Sequence, residues 1–305
     1  MPEMQEPVKV KVQKFCSNNS LAIITKGKQD EITFCTYNVN RPGLQLAGFY
    51  AHFVHQRVQI LGDMEVAYIR SLPLEQRIAS IDKLFEYDFP CIIIANNTPP
   101  CKELLDSAKK HKKLLLSSKL STVVLINTIG LYLNELLAPS LTVHGVLVDL
   151  YGVGVMILGD SGVGKSEAAL EIVQRNHRLV ADDAVCIKCV NNILIGQSPP
   201  IIKHFMEVRG IGIIDIRNIY GAGSVRNSKA IDFVVQLEDW DPNKQYDRIG
   251  NKSFTFELLG KTLPKFIIPV KPGRNIAVIL EVAARNYRLK TMGYDAIKEL
   301  EDRMK

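Results

Sequence analysis

At 305 residues, 47% hydrophobic and 23% charged, the chain has the composition of a soluble globular protein with room for two domains, each able to bury its own core. The formal net charge of +6 is modest for this length, and the one dense basic cluster, Lys109-Lys110-His111-Lys112-Lys113, ends an expected helix, where cations favour the carbonyl end of the dipole. A nucleic-acid surface calls for more clustering with interleaved aromatics. A membrane partner calls for about 18 uninterrupted apolar residues. Neither pattern is present, and no charged leader with an apolar core opens the chain.

In chain order, residues 8–12 read as a strand and 21–24 as a short apolar element. Residues 74–87 read as a helix with Leu74, Ile78, Ile81, Leu84 and Phe85 at helical spacing. A short buried strand at 91–95 follows. Pro99-Pro100 then opens a helix over 102–112, and a strand at 114–116 leads to a largely apolar helix over 122–137. Pro139-Ser140 is the best linker candidate, dividing an N-terminal α/β domain (1–138) from a second domain (139–305). Beyond it the pattern predicts adjacent strands at 143–150 and 153–158, a strand at 178–181 and a hairpin turning at Asn191-Asn192. Further strands are expected at 231–237 and 266–270. Asp295 caps a last helix whose Ile297, Leu300 and Met304 share one face, a plausible surface for partner contact. Of the six cysteines only Cys186 and Cys189 are close. On a strand they point to opposite faces, and no second CxxC completes a zinc site, so free thiols in a reducing cytoplasm are expected.

The decisive motif is Gly159-Asp160-Ser161-Gly162-Val163-Gly164-Lys165-Ser166, a full match to G-x-x-x-x-G-K-[ST]. An apolar strand precedes it and an amphipathic helix follows, which is the context its mechanism requires. The glycines let successive N–H groups turn inward to phosphate oxygens, and the helix opening at Lys165 adds its positive dipole end. Lys165 then neutralises β- and γ-phosphates, and the Ser166 hydroxyl holds Mg²⁺. A nucleoside triphosphate ligand is therefore expected.

Arg178-Leu179-Val180-Ala181-Asp182-Asp183 reads as a strand ending in two carboxylates. A P-loop site needs an acid there to fix the metal, and a kinase needs a base beside the acceptor hydroxyl. Paired Asp residues at a strand end are otherwise often a plain turn. His144 lies in an expected strand near the loop, where a histidine is as readily a satisfied core residue as a working one. Glu207-Val208-Arg209-Gly210-Ile211-Gly212-Ile213-Ile214-Asp215-Ile216 mixes glycines with a carboxylate and an arginine and could bring backbone close to phosphate or metal. Arg248 and the run Val270-Lys271-Pro272-Gly273-Arg274-Asn275 place cations on expected loops.

Six motifs in order (VHGVLVDLYGVGVMILGDSGVGKSE, HRLVADDAV, EVRGIGIIDIR, YDRIG, KPGRN and EVAARNYRLKTMGYDA) closely resemble the bacterial HPr kinase/phosphorylase family over nearly all of 141–296. Residues 40–48, NRPGLQLAG, are the clearest N-terminal echo. Lys271 stands where that family usually has Arg, which keeps the charge but loses the bidentate fork. The resemblance implies ATP-dependent phosphorylation of a regulatory serine on the phosphocarrier HPr, and its removal by phosphorolysis with inorganic phosphate in and pyrophosphate out. It further implies control of carbon metabolism and catabolite repression, a cytoplasmic homohexamer, and a P-loop domain whose mixed sheet is similar to the phosphoenolpyruvate carboxykinase core. By resemblance Asp183 is the acid/base, and His144, Lys165 and Arg248 are the remaining active positions. Ser166, Glu207 and Asp182 form the metal site, residues 207–216 serve both reactions, and 270–275 serve phosphorolysis. Three other classes stay open on the residues alone. A regulatory GTPase would need N-K-x-D, and Asn243-Lys244-Gln245-Tyr246-Asp247 carries an extra residue. The others are a nucleotide-sensing module without catalysis, and a small-molecule kinase or a phosphoenolpyruvate carboxykinase relative with a similar P-loop core.

Overall fold

A computed structural model describes residues 6–246 and 254–304. The chain forms two compact units, Met1–Ala138 and Pro139–Lys305. In the first, Val39–Asn40, Val58–Leu61, Ile92–Ile94 and Leu115–Ser117 run parallel, with Ala22–Thr25 antiparallel on the far edge. Both faces of this sheet are covered. Cys91, Ile93 and Ala95 pack into one apolar cluster, and Ile92 and Ile94 into the other, the two-residue period of a strand buried on both sides.

The helices at Leu74–Phe85, Lys102–Lys110 and Thr122–Leu136 agree with the sequence reading to within two residues at either end. Two differences have physical reasons. The first strand ends at Lys11, because Val12 donates its N–H to Asp30 O and opens a helix, Val12–Asn19, that buries Val12, Phe15 and Cys16. The strand Val58–Leu61 carries little apolar signal because Gln59 sits in it. Gln59 is fully buried, accepting from Asn40 Nδ2 at 2.8 Å and donating to Arg57 O at 2.7 Å.

In the second unit the central sheet is mixed. Its strand order is Arg178–Ala181, Val146–Leu150, Val153–Leu158, Phe233–Asp239, Lys261–Val270 and Phe254–Leu258, with Val153–Leu158, Phe233–Asp239 and Lys261–Val270 parallel. Val153, Val155 and Ile157 face the helices Lys165–Gln174 and Ile276–Thr291 through Ala169, Ile172 and Leu280. Met156 and Leu158 face a second, antiparallel sheet through Val185 and Ile187. The strand Val153–Leu158 is therefore buried along its whole length, which is why it reads as an unbroken apolar run.

That second sheet orders Ser228–Ala230, Ile193–Gln197, Ala184–Val190 and Ser140–His144. Its hairpin turns at Asn191 and Asn192, φ 49° and 67°, the paired left-handed conformation of a type I′ turn. Asp295 Oδ1 accepts from Ile297 N at 3.0 Å and caps the final helix, Ala296–Met304.

The expected single strand over 143–150 is two strands in different sheets, Ser140–His144 and Val146–Leu150, divided at Gly145. A Cβ on Gly145 would lie 2.7 Å from Ile157 O and 2.9 Å from Leu158 Cδ2. Only glycine lets the chain cross between sheets this close to the strand that carries the phosphate loop. Gly145→Ala should cost about 1–3 kcal/mol of stability. Gly130→Ala, in a helix where the added methyl meets nothing within 4 Å, should gain up to about 1 kcal/mol. Denaturant titration of both variants checks the pair.

Candidate active site

The phosphate loop leaves Val153–Leu158 at the carboxyl end of the parallel strands, next to Leu237 on the neighbouring strand. Gly159 has φ 152°, and a Cβ there would lie 2.6 Å from Leu237 O, so the loop's first turn admits no side chain. Gly164 then leads into the helix Lys165–Gln174. Lys165 is 7% exposed and its Nζ donates to Gly159 O and Asp160 O, each at 2.8 Å, which folds the ammonium back across the loop. Ser161, Gly162, Gly164, Lys165 and Ser166 line one wall of a cavity of about 130 Å³.

The carboxylate pair lines the same cavity. Asp182 is 3% exposed, and its Oδ1 accepts from Ser166 Oγ at 2.9 Å. Its Oδ2 accepts from Glu207 N at 3.4 Å. Burial pushes this carboxyl above the ordinary range, against the pull of the Ser166 hydrogen bond. On an extended strand Asp183 would point away from Asp182, but here it has φ 66°, a left-handed residue whose C=O serves the turn into the second sheet. Gly145 N donates to Asp183 O at 3.0 Å, and Ala184 N to Asp182 O at 2.8 Å. The reversal brings both carboxylates to the same cavity. Asp183 stays exposed at its rim, its Oδ1 3.1 Å from His144 Nδ1.

His144 is exposed at the end of its strand and paired in register with Ala184, so it is not a core histidine. Glu207 lies on the hairpin formed by Phe205–Val208 and Gly212–Asp215 and lines the same cavity. Arg209 does too. A Cβ on Gly162 would meet Arg209 Nη1 and Nη2 at 3.1 Å, so the guanidinium lies directly over the phosphate loop. Nothing in sequence spacing assigns Arg209 a position beyond membership of its segment, and its placement follows only from the hairpin folding back. Ile211 and Ile213 project from the same hairpin, 74% and 75% exposed. Asp215 caps the short helix Ile216–Tyr220, and Val208, Gly210, Gly212, Ile214 and Ile216 supply backbone and packing.

The run Val270, Lys271, Pro272, Gly273, Arg274 and Asn275 does not line this cavity. It forms the turn from Lys261–Val270 into the helix Ile276–Thr291, where Arg274 Nη1 donates to Pro269 O at 3.2 Å and Lys271 Nζ sits 5.4 Å from the Trp240 ring centroid. Arg248 lies outside the described residues, as does Asp247 of the guanine-reader comparison. Lys244, the lysine of that comparison, is held by Glu238 at 2.7 Å and 2.8 Å.

The oxygens of Ser166, Asp182 and Glu207 are hard donors of the kind a magnesium ion takes alongside phosphate oxygens and water. A buried carboxylate with a raised proton affinity is a group that a cation would stabilise, so these residues fit that ion.

A phosphate loop on a central strand, faced by a buried acid on its Ser166 hydroxyl and an exposed acid at the rim, defines a P-loop phosphotransferase. The family model for the HPr Serine kinase C-terminal domain matches residues 135–304, and that for the HPr Serine kinase N terminus matches residues 10–133. The chain belongs to the HPr kinase/phosphorylase family. Among its relatives, the HPr kinase/phosphorylase of Caldanaerobacter subterraneus subsp. tengcongensis is 49% identical over 97% of both chains. That of Peptoclostridium acidaminophilum is 45% identical over 99% of this chain and 98% of its own. The solved HPr(Ser) kinase/phosphatase from Coxiella burnetii is 34% identical, covering 52% of this chain and 98% of its own with a TM-score of 0.48. Among the described residues no helix is long and apolar enough to cross a membrane.

The Asp182 carboxyl yields a pH prediction. Its folded-state proton affinity is raised, so at this carboxyl the folded state holds the proton more tightly than the unfolded one, and this group's own contribution to stability falls as pH rises past the unfolded carboxyl value of about 4. Ligand-free Asp182→Asn should lose less stability than the unsubstituted protein as pH is raised from about 4 towards neutrality. Thermal unfolding of both across that range measures it, and equal slopes would remove the burial argument.

Proposed function

We propose that this protein transfers the γ-phosphoryl group of ATP to a regulatory serine of HPr, and removes it by phosphorolysis to give pyrophosphate. The observation that carries this reading is Asp183, an exposed carboxylate 3.1 Å from His144 on a cavity that the phosphate loop also lines. In the forward direction the incoming serine hydroxyl gives its proton to Asp183 as its oxygen bonds to the γ-phosphorus, and the bond to the β-bridging oxygen breaks to release ADP. In reverse, an oxygen of inorganic phosphate attacks the phosphoserine phosphorus. The serine oxygen departs and takes back a proton from Asp183, which the attacking phosphate has supplied. One residue serves both directions by microscopic reversibility, and such base catalysis is worth about 10²–10⁴-fold.

The rest of the site supports the same chemistry. The loop amides and Lys165 suit either the β-phosphate of ATP or free orthophosphate, since both offer the same oxygens to the same donors. Ser166, Asp182 and Glu207 would hold Mg²⁺, which when bound neutralises charge on the phosphates. Residues 207–216, with Arg209 over the loop, would serve both reactions, and residues 270–275 would serve phosphorolysis. Arg248 keeps the active role that the family resemblance suggests. A cytoplasmic homohexamer that controls carbon metabolism and catabolite repression completes the proposal. Leu300 and Met304, 53% and 72% exposed on the capped final helix, are apolar surface available for contact with a partner.

Asp183→Asn should lose both activities while Mg²⁺-ATP still binds, checked by phosphate transfer to purified HPr, pyrophosphate release from phospho-HPr, and nucleotide titration. Near-normal kinase rates in that variant would sink the assignment. Arg274→Ala should lower phosphorolysis more than kinase activity, measured as the ratio of the two kcat/KM values. Equal losses would refute the division of labour between the segments.

A further inference from the structure

The turn at residues 271–274 is tied directly to the phosphate-loop helix. Asn275 makes two hydrogen bonds with one amide: Oδ1 accepts from Val278 N at 2.8 Å, capping the helix Ile276–Thr291, and Nδ2 donates to Glu171 Oε1 at 2.5 Å. These two partners fix the amide's orientation, because the reversed amide would set its NH₂ against an N–H. Glu171 belongs to the helix Lys165–Gln174, whose first residues are Lys165 and Ser166. Asn275, then Arg175, hold its carboxyl below the ordinary range.

Glu171 is also held from within its own helix, at the same carboxylate oxygen. Arg175 donates to Glu171 Oε1 through Nη2 at 2.8 Å and reaches Glu281 Oε2 through Nη1 at 3.4 Å. Glu281 also meets the buried His177 at 2.9 Å and the Tyr151 hydroxyl at 3.3 Å. The two helices are thus latched by a chain of charge-assisted hydrogen bonds above their shared apolar contact, Ala169 and Ile172 against Ala277 and Leu280. The last link of that chain, Glu171 to Asn275, falls on the residue that ends the turn.

We infer that Glu171 is a positioning residue for phosphorolysis: through Asn275 it fixes the turn at 271–274, and hence Arg274, relative to the helix that begins the phosphate loop. Glu171 does not line the phosphate-loop cavity. It acts by setting where the turn's cations stand when orthophosphate occupies the loop, and a small misplacement of such a group is costly in rate. The inference rests on the proposed phosphorolytic role of residues 270–275.

The test uses the full-length protein, with kinase and phosphorolysis each resolved into kcat and KM. Glu171→Ala should lower the ratio of phosphorolysis to kinase kcat/KM by about tenfold, with the loss carried mainly by an increased KM for orthophosphate. Glu171→Gln, which keeps an acceptor for Asn275, should recover most of that loss, and melting temperatures identify any variant that fails to fold. Asn275→Ala should reproduce the loss, and the double variant should be no worse than either single one. An unchanged ratio in Glu171→Ala, a glutamine that fails to rescue, or losses that multiply would each overturn the inference. Arg274→Ala separates the two levels. If it shifts the ratio and Glu171→Ala does not, only the positioning role fails. If Arg274→Ala does not shift it, the reading of the segment fails first.

Discussion

Two adjacent carboxylates on a regular strand face opposite ways, and this site depends on their not doing so. The left-handed backbone at Asp183 turns the chain from the central sheet into the second one. The same reversal leaves Asp182 buried on the Ser166 hydroxyl and Asp183 exposed at the cavity rim. A non-glycine residue in this conformation is strained, by about 1–3 kcal/mol on the usual scale. It persists because its neighbours are fixed from both sides: Gly145 N on Asp183 O, Ala184 N on Asp182 O, and the register of Ala184 against His144. The same pairing delivers His144 to Asp183. One backbone turn therefore gives the two acids different surroundings, and different surroundings allow different work.

The sheet architecture makes that turn possible. Strands Val153–Leu158 and Phe233–Asp239 are parallel, the first buried along its whole length, which gives the phosphate loop a rigid base. The antiparallel sheet on the far side supplies Ser140–His144 and Ala184–Val190 as a clamp on the carboxylate turn. Gly145 is where the chain steps from one sheet to the other, within contact distance of Ile157 and Leu158. The hairpin from Phe205 to Asp215 then closes over the loop, bringing Glu207 and Arg209 to a cavity that neither would reach from an extended chain.

A reversible phosphoryl transfer has a particular requirement: the acid/base must be accessible, and the phosphate donors must accept more than one species. In the proposed role an exposed Asp183 would meet the first condition. A loop of backbone amides meets the second, since it recognises oxygens and not a particular ester. The buried acid has the opposite need. Its raised proton affinity costs stability in the ligand-free protein, a cost that a bound cation would offset.

How much of this was legible in the sequence follows from how local each feature is. The phosphate loop is eight contiguous residues whose glycines, lysine and serine act through their own backbone and helix end, so pattern alone located it and its flanking elements. The Asn191-Asn192 hairpin and the Asp295 cap are equally local, and both stand where their residues indicated. Short strands interrupted by a buried Gln59, or a strand divided at Gly145, were hidden because what decides them is a partner elsewhere in the chain. The same holds for the site. That Asp182 and Asp183 close a strand was readable, but their sharing of one cavity needed the turn into the second sheet. Likewise Arg209 over Gly162 and Asn275 on Glu171 are meetings of residues far apart in the chain. Sequence by itself determined which groups could bind phosphate and carry a proton, because that is the chemistry of the residues. Tertiary structure alone decided which of them face one another, because long-range hydrogen bonds exist only once strand register and helix packing are set.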